Sequence, residues 1–320
     1  MKEALFNTKT LLLDILDKHI LGVPLANGTP RPYCSGKRFR EKLVETDSDN
    51  FVWTFYSQQD ISSIDTVYER DDDNHLWVAT TKTVTKNTSA KTVVFDTDPT
   101  GQVAIDVTVN STEHPIEIIK DILASEVGLH DWQYDVDSLN TIKTLRGEGV
   151  ACGVRFEKMS ALQAIKLLAK FLDSAIFIEG ETLKMAAADS PASTGISIGR
   201  GNFERGGVER NSNRIINMMR IPYGDFADDK SKIVSASDLR SIYDYGVRDL
   251  SKFYPEMSFT YQDPVSSDVS GDITALLTTL IERLPQVKEV YRLRDIYLEA
   301  MRIEPGDQIA LTDDFLGLSG

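Results

Sequence analysis

The chain has 320 residues, of which 41% are hydrophobic and 26% are charged, and its formal net charge is -14. This composition is typical of globular protein, and the apolar fraction is large enough for a core that needs no disulfides. A stable nucleic-acid complex requires clustered lysine and arginine, which this acidic chain lacks. We therefore expect no stable binding of nucleic acid.

The amino-terminal residues and the cysteines exclude several further classes. Glu3 and Asp14 interrupt the first apolar stretch, and no small-residue cleavage site follows, so no signal peptide is predicted. No run approaches the roughly 18 apolar residues of a membrane span. Cys34 and Cys152 lie far apart without a CxxC pattern, which argues against a zinc site and a disulfide scaffold. We expect two reduced, partly buried thiols, as in a protein made in a bacterial cytoplasm.

Residues 1–110 are predicted to form a β-rich domain. A helix is expected over residues 4–20, where apolar side chains recur at roughly helical spacing. Residues 22–39 are rich in proline and glycine, which is typical of irregular chain. Residues 51–109 are rich in aromatic and β-branched residues, which predicts successive strands. The turn signal Asp98–Gly101 between the last two strands favours a hairpin.

Residues 111–190 are predicted to form a small α/β module. The stretch 115–129 has the apolar periodicity of an amphipathic helix. Ser160 and Gln163 have the spacing of a capping box, which predicts that a second helix begins at residue 161. The other expected elements are a short helix over 136–145, a strand over 149–157 and a hairpin around Gly180.

Residues 191–320 are predicted to form a second β-rich domain that also contains helices. A polar loop is expected over 189–205. The further expected elements are a strand over 214–224, helices over 237–245 and 267–284, and a strand from 290 that returns after a Pro-Gly-Asp turn at 305–307. The predicted fold class is therefore α+β, with the α/β module inserted between two β-rich domains.

No residue pattern predicts a catalytic, cofactor-binding or metal site. The histidines are isolated in the sequence: His19, His75, His114 and His130. Without an HxH or HxxxH pair they do not indicate a metal centre. Ser197 lies in a GxSxG match, but no helix signal follows it, and a nucleophile elbow requires that helix.

Two further segments have a functional interpretation that is less favoured than a structural one. Gly199, Gly201, Gly206 and Gly207 lack the spacing of a phosphate-binding loop, so a flexible loop is expected there. The acidic stretch Asp71–Asn74 lacks the glycine and distal glutamate of a calcium loop. We expect it to be a solvated turn.

Three aromatic residues, Trp53, Phe55 and Tyr56, share one predicted strand. Such a strand usually belongs to a core, although its rings could instead stack on sugars in a receptor-binding protein. The 49 acidic residues make carboxylate pairs inevitable, and the sequence brings no particular pair to the separation that a glycosidase needs. A hydrolase therefore has no specific support.

The order of segments resembles that of bacteriophage tail hub proteins. Those proteins share a strand of the form N-R-V-x-V-x-Y, then Ser-Ile-x-x-Tyr-Gly, then Pro-Gly-Asp before a strand. The matching residues are Asn213, Arg214, Tyr223, Ser241, Ile242, Tyr245, Gly246, Pro305, Gly306 and Asp307. The stretch MSALQAIKLLAKFLDSAIFIEGETLKM is similar to the insertion of such hubs, and the resemblance covers nearly the whole chain in segment order.

The resemblance implies β-barrel-type tube domains with the small α/β module decorating the outside. It implies a homotrimeric ring that joins the tail tube to the baseplate or tip, with tube, distal tail or tip proteins as partners. DNA would pass through the lumen without adhering. The resemblance places the protein in the virion after assembly in the host cytoplasm, and it implies no enzyme activity, cofactor or metal.

Two departures from the family pattern stand out. Family members usually continue beyond LTDDFLGLSG with at least one more strand, so we expect a truncated or shortened chain. No lysozyme-like or peptidase domain follows either. Two alternative functions stay open: a virion adhesin or secretion-spike component that binds a host-surface glycan, and a cell-wall hydrolase.

Overall fold

The computed structural model describes residues 11–70, 77–110, 114–187, 197–199, 204–211, 215–223, 232–251, 257–258, 277, 280–281, 288–294, 310–313 and 318–319. The helices are α1 (residues 11–18), α2 (Pro115–Asp121), α3 (Val136–Arg146), α4 (Ala161–Phe171) and α5 (Leu239–Tyr245), with a π-helical turn at Ile122–Glu126. The strands are β1 (Ile20–Leu21), β2 (Tyr33–Lys42), β3 (Val44–Asp47), β4 (Val52–Thr54), β5 (Ile61–Arg70), β6 (Trp77–Ala79), β7 (Val84–Asn87), β8 (Thr92–Phe95), β9 (Gln102–Val109), β10 (Gly153–Phe156), β11 (Met159–Ser160), β12 (Ala175–Glu179), β13 (Thr182–Ala186), β14 (Ser197–Gly199), β15 (Glu204–Asn211), β16 (Met218–Tyr223), β17 (Lys232–Ser237), β18 (Asp249–Ser251), β19 (Met257–Ser258), β20 (Lys288–Arg294), β21 (Ala310–Asp313) and β22 (Leu318–Ser319).

The largest sheet has six antiparallel strands in the order β19-β10-β2-β9-β5-β6. Strand β2 lies inside it and pairs with β10 on one side and β9 on the other. Successive side chains of a strand point to opposite faces. Tyr33 therefore packs into a core formed mainly by helices, while Cys34 packs into a second core between sheets.

The sequence-based expectation of irregular chain over 22–39 is wrong for its last seven residues, which belong to β2. The strand escapes detection because its second half is highly charged. A β-bulge between Arg38 and Glu41 interrupts the pairing with β9, and Arg40 adopts φ 47 within it. The carboxylate of Asp106 accepts a hydrogen bond from the Arg40 backbone N–H at 2.9 Å and so stabilises the bulge.

The bulge buries a charged cluster. Glu41 is fully enclosed, and its carboxylate contacts the guanidinium groups of Arg38, at 2.7 Å, and Arg155. Burial alone would raise the pKa of Glu41, but the two guanidinium groups outweigh burial and lower it. Glu41 therefore stays ionised, and its pairing compensates the desolvation of a charge inside the sheet.

The second core, which we call the sheet core, lies between the six-stranded sheet and a four-stranded sheet ordered β3-β4-β8-β7. Its buried residues are Cys34, Leu43, Phe55, Ile61, Ile64, Val67, Val93, Phe95, Val103, Ile105, Val107 and Val109. Many of the aromatic and β-branched residues that predicted strands over 51–109 are buried in this core.

The hairpin expected at Asp98–Gly101 is wrong, since β8 and β9 pair in different sheets. The segment between them crosses from one sheet to the other. Glu69 holds it by accepting a hydrogen bond from the Thr100 N–H at 2.6 Å, and Lys82 donates to the Asp98 carbonyl at 2.7 Å. A turn signal specifies a change of direction but not the partner of the next strand.

The first core, which we call the helical core, is enclosed by α1 to α4 and the β12–β13 hairpin. Helix α4 begins where the capping box predicted, because the Ser160 hydroxyl accepts from the Gln163 N–H at 3.3 Å. The expected helix over 115–129 ends its α-helical part at Asp121 and continues as the π-helical turn. Of the helix expected over 267–284, the structure describes only residues 277, 280 and 281, which are helical.

The helical core draws side chains from all three predicted domains. Leu12 and Leu16 come from the first, Ile165 comes from the second, and Met219 and Met257 come from the third. The domain boundaries at 110 and 190 remain predictions, and across them the packing is continuous.

The α+β class is confirmed, with mostly strands and a few helices. Over the described residues the sheets remain open, so a closed barrel and an inserted module belong to the proposal below. Among the helices that the structure describes, none has both the length and the apolar character needed to cross a bilayer.

Gly36 provides a test of the close contact between β2 and β10. It has φ 74, and a Cβ there would overlap the carbonyl oxygen of Cys152. We expect Gly36→Ala to lower the free energy of unfolding by about 1–3 kcal/mol more than Gly28→Ala does, since overpacking adds to backbone strain. Gly28 is the matched control because its φ is 83 and its Cβ would meet nothing within 4 Å. Equal urea-denaturation midpoints for the two variants would contradict this account.

His114 provides a pH-dependent test. Its Nδ1 caps α2 by accepting from the Ile116 N–H at 3.0 Å, and burial, reinforced by nearby Lys143, lowers its pKa to about 4. Because the unfolded chain takes up this proton first, stability is lost as the pH falls from 6.5 towards 4, by up to about 3 kcal/mol. In His114→Asn the amide oxygen still caps the helix without titrating. We expect the difference in unfolding free energy between the wild type and His114→Asn to change across this pH window. A difference that stays constant with pH would show that His114 does not cause the loss of stability.

Candidate assembly interface

The aromatic strand singled out in the sequence is mostly buried. Phe55 is a member of the sheet core, and Trp53 is partly buried and packs against that core. Tyr56 is also only partly exposed. Trp53 and Phe55 therefore have a structural role, but the expectation that the three rings share one strand is wrong, because β4 ends at Thr54 and Phe55 and Tyr56 follow it.

The glycine-rich segment is not one flexible loop. Gly206 and Gly207 lie within β15, at a register shift in its antiparallel pairing with β20. Ser197 begins β14, which pairs in parallel with β21, and Gly199 ends the same strand. Gly201 lies outside the described residues. Where the structure describes this segment, it forms the strands β14 and β15. Glycine at the register shift of β15 tolerates the local change in backbone conformation.

The histidines and cysteines do not assemble into a site. His114 is a buried helix cap, His130 is exposed, and His19 is partly buried. Cys34 and Cys152 are both buried and form no disulfide, and burial raises the pKa of the Cys34 thiol to about 12. Across the residues that the structure describes, no group of three or more His, Cys, Asp or Glu side chains could hold a metal ion. His75 and Asp71–Asn74 lie outside those residues.

The residues that carry the family resemblance are partly gathered in one unit. Ser241, Ile242 and Tyr245 lie on α5, and Gly246 follows it directly. The helix connects β17 to β18, which flank β16 in a three-stranded sheet. Tyr223 ends β16. The other matching residues lie outside the described residues: Asn213, Arg214, Pro305, Gly306 and Asp307.

Asn217, just before β16, joins the parts of this unit. It is fully buried, and its side-chain oxygen accepts from the Arg248 N–H at 2.7 Å. Its side-chain nitrogen donates to the Gly246 carbonyl at 2.8 Å and to the Ser241 hydroxyl at 3.4 Å. Its backbone carbonyl accepts from the Asp238 N–H at 2.9 Å. Through its side chain and its backbone carbonyl, Asn217 therefore ties both ends of α5 to the sheet.

The two ends of α5 are also defined locally. The Asp238 carboxylate caps the helix by accepting from the Ser241 N–H at 2.8 Å. Gly246 adopts φ 71, a conformation in which glycine avoids the penalty of a side chain, and its N–H donates to the Ile242 carbonyl at 2.9 Å. A short helix that would be marginal alone is thus held in one orientation.

The outer side of this unit exposes large apolar side chains. Leu239 is 77% exposed and Tyr243 is 90% exposed. They are four residues apart, so they are neighbours on one helix face. Tyr245 and Val247 are exposed as well. We call these four residues the α5 surface. Adjacent exposed apolar side chains, such as Leu239 and Tyr243, on a rigid support are typical of a surface that binds another protein.

Sequence reasoning missed both Asn217 and the α5 surface. Asn217 is polar within the apolar stretch RIINMMRI, which is a signal that the sequence does contain. Its partners Gly246 and Arg248 are about 30 residues away, so the hydrogen bonds themselves could not be predicted. The pattern SDLRSIYDY predicted a helix but not the direction of its apolar face.

Comparison with known proteins finds tail proteins among solved structures. No family model and no curated protein matches the sequence. The chain is similar to the 43 kDa tail protein of prophage MuSo2 from Shewanella oneidensis, at 12% identity and TM-score 0.34 over 76% of this chain and 70% of that one. It is also similar to the tail protein from Neisseria meningitidis, at 14% identity and TM-score 0.32 over 76% and 73%. A third similar structure is prophage tail protein gp18 from Listeria monocytogenes, at 11% identity and TM-score 0.27 over 68% and 64%, so this chain spans less than two thirds of it.

Asn217→Ala tests whether this side chain holds the unit together. The substitution removes the part-buried hydrogen bonds to the Gly246 carbonyl and the Arg248 N–H, so we expect a loss of about 1–3 kcal/mol. The expected readout is faster amide hydrogen exchange over residues 238–248. Arg220→Ala is the control, because it removes only an exposed ion pair with Asp249 in the same sheet. Equal exchange rates in the two variants would show that Asn217 does not have this role.

Proposed function

We propose that the protein is a structural subunit of a phage or prophage tail. In this proposal, three copies form a hub ring that joins the tail tube to the baseplate or tip. Tube and distal tail or tip proteins bind on either side, and the assembled protein is part of the virion. The observation that carries the proposal is the α5 surface, which is built on the segment that resembles tail hubs.

The edges of the described sheets support self-association. Within the described residues, the six-stranded sheet ends at β6, the four-stranded sheet at β3, and the three-stranded sheet at β17. Each of these strands carries an exposed apolar residue: Val78, Val44 and Ile233. An edge strand offers unpaired backbone groups, and pairing with a neighbouring copy satisfies them. Barrel-type tube domains would close in this way in the ring.

The acidic composition supports a channel that DNA crosses without adhering. A net charge of -14 in each copy repels the phosphate backbone. A ring of such subunits would therefore let DNA pass, whereas a basic surface would hold it. The proposal assigns the chain no catalytic step, and the α/β module would lie on the outside of the ring.

The interface is tested by Tyr243→Ser, measured by light scattering over a range of protein concentrations. A buried aromatic residue at the centre of an interface contributes about 2 kcal/mol or more, so we expect roughly 30-fold weaker association. Val23→Ser is the control, since Val23 is an exposed apolar residue outside the α5 surface. Wild-type protein that stays monomeric at every concentration would overturn the proposed self-association. Equal association of all three proteins would exclude the α5 surface.

A further inference from the structure

A second exposed aromatic surface lies far from the α5 surface in sequence, in the loop that precedes α3. Trp132 is 60% exposed there, whereas Trp77 is buried and Trp53 is partly buried. The imidazole of exposed His130 stacks with the Trp132 indole, with ring centroids 6.4 Å apart and an interplanar angle of 14°. The exposed indole therefore lies next to a second, nearly parallel aromatic ring.

The loop is held in place by hydrogen bonds. Gln133 accepts from the His130 N–H through its side chain at 2.9 Å, and its own N–H donates to the His130 carbonyl at 2.8 Å. Strand β13 fixes the other side, where the Thr182 hydroxyl donates to the Trp132 carbonyl at 3.1 Å and the Leu183 N–H donates to the Gln133 carbonyl at 2.8 Å. The aromatic face is therefore presented on a preorganised support, which lowers the entropic cost of binding.

The surroundings of Trp132 are polar. Asp131, which precedes Trp132, and Glu181 are exposed, and the Asp131 carboxylate accepts from the Tyr134 hydroxyl at 3.3 Å. A protein-binding surface instead groups apolar side chains and keeps charges away from its centre. An aromatic face next to hydrogen-bonding groups suits a ligand with one C–H-rich face and several hydroxyl groups.

We propose that the 130–134 loop is a carbohydrate-binding site for neutral pyranose sugars. The sugar ring stacks on Trp132 through its axial C–H groups, and the Asp131 carboxylate accepts hydrogen bonds from its hydroxyls. Anionic polysaccharides are disfavoured by Asp131, by Glu181 and by the net charge of the chain. The site shares no residue with the α5 surface.

The experiment titrates the full chain with neutral trisaccharides of glucose, galactose and N-acetylglucosamine at millimolar concentrations. Intrinsic tryptophan fluorescence and calorimetry report binding. We expect at least one trisaccharide to bind, and we expect Trp132→Ala to weaken that binding by at least about tenfold through loss of the stacking face. Trp132→Phe keeps a ring and should retain most of the affinity. Asp131→Asn should weaken binding without abolishing it.

Two controls make the outcome decisive. Thermal unfolding of Trp132→Ala should match that of the wild type, since an exposed ring contributes little to the core, and Val23→Ala should bind sugar normally. Absence of binding by the wild type, unchanged binding by Trp132→Ala, or stronger binding of polygalacturonate than of neutral sugars would each overturn the proposal. Light scattering of the same samples distinguishes a failure of this proposal from a failure of the proposed ring assembly. We expect Trp132→Ala to lose sugar binding while keeping the oligomeric mass of the wild type.

Discussion

The close contact between β2 and β10 is the constraint on which the rest of the fold depends. At Gly36 the two backbones approach so closely that no side chain fits. This contact places β2 between the two cores, with Tyr33 on the helical side and Cys34 on the sheet side. A strand buried on both faces cannot carry free charges, so Glu41 is enclosed by two arginines. The glycine, the bulge and the charged cluster are therefore consequences of one position in the fold.

The three-stranded sheet with α5 depends on one buried polar residue, Asn217. Asn217 has every backbone and side-chain group paired with residues that are distant in sequence. Such a network is stable only if all its members are satisfied, and it then specifies a single arrangement. This rigidity explains how a short helix can present Tyr243 and Leu239 to solvent without collapsing onto the core. An apolar surface of this kind reduces the solubility of a free subunit, and burial in an assembly removes that cost.

Local signals in the sequence predicted local structure well. The capping box at Ser160 and the glycine turn at Gly180 specify backbone geometry within a few residues, and the structure confirms both. The sequence-based predictions failed where residues distant in sequence determine the pairing of a strand. The charged strand β2 forms because β9 and β10 lie on either side of it, and β8 and β9 separate because each has another partner. For the candidate surfaces, the sequence pattern predicted helix α5. It predicted neither the structural role of Asn217 nor the exposure of Trp132, since both depend on which surfaces the tertiary fold covers.

The two exposed aromatic surfaces differ in chemistry although both contain aromatic side chains on rigid supports. The α5 surface groups aliphatic and tyrosine side chains, so its burial is driven by loss of apolar area and favours a large complementary partner. The Trp132 loop has a single stacked pair among carboxylates, which limits the buried apolar area and favours a small hydroxylated ligand. The net negative charge of the chain disfavours polyanionic ligands at both surfaces. In the proposed function, the α5 surface therefore serves assembly with other proteins, and the Trp132 loop binds a neutral glycan.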